Sequence, residues 1–339
     1  ILTALTIWRV GFGPSQPAGA LAEFTGEAWG TTWSVKLDHD VGDDARSDVE
    51  RVIAAELERV DALMSTWRDD SELSLLNAAP VGEAVAISPE TLEVLELSQR
   101  VSRATDGAFD VTVGPLVAVW GFGADAGLPE PPAPEVLAAA AAKVGYTELT
   151  LDAEAGTATR GLEGLRIDLS AVAKGYGVDR IASAVSAAGY PRHLVEIGGE
   201  LRAGAAKVDG SPWRIAVETP DARTRAVFGV LDMQGEGIAT SGDYRNFYEV
   251  DGVRYAHLID PRTARPVTHA GASVTVIAPE TSVADAWATA LGVLGPEEGY
   301  RIADAEGLTA LFIWQEGEEF MSRATQPMQA RVPDNLVKN

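Results

Sequence analysis

Hydrophobic positions recur along this chain with two different periods. From Trp29 through Thr31, Trp33, Val35 and Leu37 the large side chains alternate with other residues, the two-residue repeat of a half-buried strand. The repeat then lengthens. Val49, Val52, Ile53, Leu57, Val60 and Met64 keep a helical period, and Ser47 with Glu50 has capping-box spacing, which predicts a helix opening at Ser47. Ser88-Pro89-Glu90 predicts a second helix, with a serine cap and a proline in its first turn, ending before Gly107.

Residues 124–134, dense in Pro and Gly, read as a loop. An alanine-rich helix is expected near 134–143, short strands at 146–152 and 164–169, and then a helix capped by Ser170 and continued by Ile181, Val185 and Ala188. Strands are expected at 193–203, 213–219, 226–231, 246–250 and 253–257, several joined by glycine turns such as Asp251-Gly252. The chain closes with a strand at 272–278, a helix over 282–295 and a hairpin-like stretch at 308–322. No internal repeat is present, and strands grouped between helices predict an α+β fold rather than a doubly wound sheet.

Composition narrows the function. The 339 residues, 46% hydrophobic and 23% charged, suffice for one large domain or two lobes. A net charge of -23 with no run of Lys and Arg disfavours nucleic acid as a partner. The absence of cysteine excludes disulfides, thiolate nucleophiles and thiolate metal sites. Residues 1–8 are apolar but far short of the roughly 20 needed to span a bilayer, and read either as the trimmed end of an export signal or anchor or as a disordered or strand-like terminus.

Several short stretches carry candidate chemistry. In SVADAWATALGVLG (282–295), Asp285 and Thr289 stand four apart, one turn on the same helical face. That pair is either a favourable acidic residue early in a helix beside a tolerated threonine, or a set of oxygen ligands for a hard cation. DLSAVAKGYGVD (168–179) places Asp168 at a strand end, ahead of a helix start whose free N–H groups suit phosphate, with Lys174 in the first turn against the dipole. An ordinary cap and a solvent-facing lysine fit equally. No P-loop and no Rossmann fingerprint occurs.

Glu196-Ile-Gly-Gly-Glu200 reads as a tight turn or a close approach to ligand, and Ala239–Arg245 as a polar loop or a phosphate contact. Residues 106–123 mix glycines, aromatics and Asp110, as either a stacking wall or a core segment with turns would. His257, at a strand end with Asp260 three residues on, is either a general base oriented by an acid or a hydrogen-bonded structural histidine.

Taken in order, GTTWSVKL (30–37), MSTWRDDSELSLLN (64–77), GAFDVTVGPLVAVWGFG (107–123), DLSAVAKGYGVDRIA (168–182), EIGGEL (196–201), IATSGDYRNFY (238–248), HLIDPRT (257–263) and SVADAWATALGVLG (282–295) resemble the ApbE-type FAD:protein FMN transferases. The resemblance implies an α+β unit of mixed and antiparallel sheets with flanking helices, its two interleaved lobes enclosing a FAD cleft, over residues 22–325. Residues 1–21 would be an export or anchor segment and 326–339 a tail. It further implies transfer of FMN from FAD to a threonine or serine of a partner flavoprotein, with magnesium as cofactor and AMP released.

By position, the metal ligands would be the Ala171 carbonyl, Asp285 and Thr289. Flavin contacts would come from Trp67, Ala108, Phe109 and Asp110, Trp29 would touch the flavin or the adenine, Asp168 and Lys174 would serve the nucleotide, and His257, helped by Asp260, would be the catalytic base or its immediate partner. The implied acceptor is a subunit of a bacterial electron-transport complex of the Nqr or Rnf type, and the implied location is the periplasm or the periplasmic face of the inner membrane. The alternatives are a magnesium-dependent FAD pyrophosphatase and a non-catalytic flavin carrier. Three departures stand out: Trp29 where methionine is frequent, Ala288 where some members carry a second aspartate, and no lipoprotein cysteine.

Overall fold

The computed structural model describes residues 21–122, 130–221, 226–242, 247–269, 273–317 and 319–332. The apolar stretch 1–20, most of the loop at 124–134 and the segment 333–339 lie outside the described residues.

One antiparallel sheet of eight strands organises the molecule, and its spatial order is its chain order: Ala22–Ala28, Thr31–Leu37, His193–Ile197, Glu200–Ala203, Gly237–Gly242, Ser273–Ala278, Thr309–Glu316 and Glu319–Ala324. Each strand pairs antiparallel with the next, so the sheet is a meander into which longer excursions are inserted. The largest excursion, between Leu37 and His193, holds the helices Asp43–Met64, Glu72–Ala78, Pro89–Ala104, Gly114–Val119, Pro134–Ala141 and Ala173–Ala187. It also holds a small sheet of Ala84–Ala86, Thr157–Arg160 and Leu149–Asp152. This is the expected α+β fold of antiparallel sheets with flanking helices.

The two helices nearest the sheet, Ala173–Ala187 and Thr281–Ala305, cover one face. The hairpin Trp213–Glu218 with Val227–Met233 covers the other, where Trp213, Ile215 and Leu231 pack on Leu201, Ile277 and Ile313. Central strands therefore have apolar neighbours on both sides. Ser273–Ala278 is buried at five successive positions, with Val274 and Val276 on the helix side and Ile277 on the hairpin side. The Gln326–Gln329 helix seats Met328 in that second core, so packed structure continues past residue 325 to Val332.

Several expected boundaries move. The strand begun at Trp29 is the second arm of a hairpin, whose turn is Trp29 (φ 51°) and Gly30 (φ 72°). The first helix starts at Asp43 rather than Ser47, and its cap, Gly42, contributes no side-chain bond. Ser88 caps its helix as expected, accepting from the Thr91 N–H. Residues 164–169 form no strand beyond a single bridge between Val113 and Arg166. Residues 239–242, expected as part of a polar loop over 239–245, belong to the strand Gly237–Gly242, and 243–245 lie outside the described residues. The Thr281–Ala305 helix extends beyond 295 by bending at Gly295 (φ 78°, ψ -179°) just before Pro296.

Candidate functional site

A cavity of about 440 Å³ opens where the starts of the two sheet-facing helices meet the 108–122 segment, the Gly198-Gly199 turn and the strand Gly237–Gly242. Nine of the twelve expected site residues line it: Ala108, Phe109, Asp110, Asp168, Ala171, Lys174, His257, Asp285 and Thr289. They come from four distant parts of the chain.

The helix Ala173–Ala187 begins without a side-chain cap of its own: Val172 occupies the cap position, and Ser170 instead lies in a turn where its N–H donates to Asp168 Oδ1 (2.8 Å). The missing cap comes from the other helix. Asp285 Oδ2 accepts the Gly175 N–H at 2.9 Å across 110 residues. The regular partner of that N–H would be the Ala171 carbonyl four residues back, so the tertiary cap leaves Ala171 without that donor. The helices approach this closely because position 175 is glycine; a Cβ there would lie 2.6 Å from the Thr281 carbonyl oxygen and 2.8 Å from Asp285 Cβ.

Asp285 is 4% exposed. Burial, reinforced by the Glu200 charge, pushes its carboxyl up to about 8, against the pull of Lys174 and of the Gly175 N–H. Burial would lower the Lys174 ammonium, yet the negative charges of Glu200, Asp285 and Glu196 hold it above its ordinary value. Lys174 Nζ donates to Glu200 Oε1 at 2.6 Å. Glu196, also buried, accepts from the Gly199 N–H (2.8 Å) and is pushed up to about 7, mainly by burial.

The 108–113 segment is pinned rather than free. Asp110 Oδ1 accepts both the N–H and the hydroxyl of Thr112 (2.7 Å each), and Oδ2 accepts the Tyr146 N–H (2.9 Å). Its carboxyl still lies above the usual range because burial outweighs those bonds. Both oxygens thus hold the loop in place. Trp120 Nε1 donates to the Ala264 carbonyl (2.9 Å) and its ring stacks on Tyr255, which fixes the 114–122 and 255–264 segments together. Phe122 then meets the His257 ring edge-on at 6.4 Å between centroids.

Three expected site residues lie outside the cavity lining. The Trp29 ring sits over Gly177, where an added Cβ would be 2.4 Å from it, and packs at the border of two core clusters. Trp67 is 76% exposed. Asp260 lies outside the lining, and its carboxylate accepts from the Arg262 backbone N–H and guanidinium (2.9 to 3.3 Å), because an arginine two residues on offers a fork at short range. Leu258, Ile259 and Val293 line the cavity without having been expected there, and so do Glu200, Thr240 and Ser241, which fall in stretches read as turn or ligand approach but were not named as site residues. Glu200 had one signal, its place after two glycines. Both of them, Gly198 (φ 61°) and Gly199 (φ 110°), take the left-handed backbone that a two-residue hairpin turn needs.

Among the described residues no group of three or more His, Cys, Asp or Glu could hold a metal ion. The available donor set is different in kind: one buried carboxylate, a hydroxyl one turn later and Ala171 facing the same space. Oxygen donors of this sort suit magnesium, which takes few protein carboxylates and keeps water or substrate oxygens. The buried, unpartnered Glu200 Oε2 beside them adds negative charge favourable to a cation.

Fold and site together define an α+β protein with one mixed-charge cleft where two helices begin. The family model for the ApbE family matches residues 29–312. Proteins named FAD:protein FMN transferase, the name of an enzyme, are 40% identical to this chain in Klebsiella pneumoniae (91% of this chain, 88% of the relative) and in Vibrio cholerae (96% of each). The solved structure of the flavin transferase ApbE from Vibrio cholerae superposes with a TM-score of 0.84 at 38% identity, covering 92% of this chain and 99% of that one. The chain belongs to the ApbE family.

Proposed function

We propose that this protein is a FAD:protein FMN transferase, which moves FMN from FAD to a threonine or serine hydroxyl of a flavoprotein and releases AMP. The observation that carries the reading is the convergence of Lys174, Asp285, Thr289 and His257 on one cavity. Asp285, Thr289 and the Ala171 carbonyl would hold magnesium, which when bound neutralises charge on a diphosphate. Lys174 stands at the helix start, where free N–H groups favour an anionic ligand. Phe109 and Ala108 offer an apolar wall to a planar ring, and their loop is held rigid by Asp110.

In the proposed step the acceptor oxygen attacks the flavin-side phosphorus, the bridging P–O bond to AMP breaks, and the hydroxyl proton passes to the His257 ring. Asp260 supports this step by fixing the 260–263 turn through Arg262. The acceptor expected from the resemblance is a subunit of an electron-transport complex of the Nqr or Rnf type, met on the periplasmic side of a membrane. No helix among the described residues is long and apolar enough to cross a membrane.

The test is mass spectrometry of a candidate acceptor after incubation with the protein, FAD and magnesium. The expected product carries the mass of one FMN on a hydroxyl residue, with equimolar AMP, and Asp285→Ala abolishes both. AMP and free FMN in equal amounts with an unmodified acceptor would replace transfer by hydrolysis.

A further inference from the structure

Glu200 belongs to no expected site, yet it is 4% exposed in the cavity wall and spends only one carboxylate oxygen. Oε1 receives the Lys174 ammonium at 2.6 Å, while Oε2 is buried with no partner. A buried ion pair of this kind brings little net stability, because desolvation offsets the attraction, and an unsatisfied oxygen makes the balance worse. Its place in the site is therefore the better explanation.

The neighbouring bonds show what the pair does. Lys174 and Gly175 are adjacent in sequence, and Asp285 reaches Gly175, but its bond there is to the backbone N–H and the ammonium turns to Glu200. We infer that Glu200 is a positioning residue: by claiming the Lys174 ammonium it keeps that charge off Asp285 and leaves Asp285 and Thr289 open to a divalent cation. This rests on the metal reading given above. Without the Glu200 charge, the ammonium, held by the same helix start, would turn to Asp285, the buried cavity carboxylate that already bonds the adjacent Gly175 N–H. It would then compete with the cation for the same oxygen.

The test is direct titration of Mn²⁺ into the full chain, followed by the loss of the free-ion paramagnetic resonance signal, in wild type, Glu200→Gln, Lys174→Met and the double variant. Glutamine keeps an acceptor for Lys174 and removes the charge. The expected result is binding weakened about tenfold or more in Glu200→Gln, undiminished in Lys174→Met, and restored to within about threefold of wild type in the double variant. A merely structural role for Glu200 would not be repaired by removing Lys174. Wild-type affinity in Glu200→Gln, or a double variant no better than Glu200→Gln, overturns the inference while leaving the metal site standing. A wild-type protein that takes up no Mn²⁺ overturns the metal reading and this inference with it.

Discussion

Asp179 and Asp285 lie in two different helices, and each caps the helix that carries the other. Asp285 accepts the Gly175 N–H at the start of Ala173–Ala187, and Asp179 accepts the N–H groups of Thr281 (2.8 Å) and Ser282 (2.9 Å) at the start of Thr281–Ala305. Neither helix has a side-chain cap from its own flank. The exchange fixes the two helix starts against each other, and the cavity forms there.

Asp179 also receives Arg202 Nη1 at 2.6 Å, so Asp179→Ala removes a cap from two N–H groups and strands a guanidinium. A loss of about 2–4 kcal/mol in stability is expected from a cap and a partly buried ion pair together. Urea unfolding followed by circular dichroism measures it, and a change below about 0.5 kcal/mol would deny the reciprocal capping any stabilising role.

Gly175→Ala should be harmful although alanine is the better helix former by up to about 1 kcal/mol. The new methyl meets the Thr281 carbonyl oxygen and Asp285 Cβ at under 3.0 Å, so the helices must part. Overpacking of this sort costs about 1–3 kcal/mol, and the same shift lengthens the Gly175–Asp285 bond. Lower thermal stability together with reduced FMN transfer is the expected outcome; an unchanged melting temperature would contradict the close approach.

Glu196 gives a pH dependence of defined sign. Its folded-state value, about 7, lies above that of an ordinary glutamate, so the folded protein holds this proton more tightly than the unfolded chain. The stabilisation is complete below about 4.5 and is lost as pH rises through about 7. Glu196→Gln should therefore unfold at a higher temperature than wild type at pH 8, by about 1–3 kcal/mol in stability, and the gap should close near pH 4.5. Melting curves across that range decide it, since a gap that widens toward acid would reverse the assignment.

Thr289 separates a ligand role from a packing role. Thr289→Ser keeps the hydroxyl and should need a magnesium concentration within a few-fold of wild type for half-maximal transfer, whereas Thr289→Val, similar in shape, should need about tenfold more. Equal magnesium dependence of the two variants would remove Thr289 from the metal site.

Some of this architecture is written within a few residues of where it appears. The alternation of Trp33, Val35 and Leu37 gives a strand, Ser88-Pro89 gives a capped helix, and the four-residue step from Asp285 to Thr289 sets both on the cavity side of one helix. Local backbone geometry and capping bonds reach three or four residues, so such features are legible from the chain. Ser47 and Ser170 misled for the same reason: each is a good cap by type, but packing placed the helix start elsewhere.

Periodicity along the chain predicts the α+β class and most of the elements, and the family resemblance of its motifs points to nine of the residues that line the cavity. Three outcomes are invisible before the chain folds: Asp285 caps a helix at a residue 110 positions away, Asp260 is spent on Arg262, and Glu200 is buried against Lys174 with one oxygen unpartnered. Those outcomes depend on which surfaces meet when the meander closes and two helices cross at Gly175. Hydrogen bonds and charges between distant segments follow from that packing, and no local pattern specifies them.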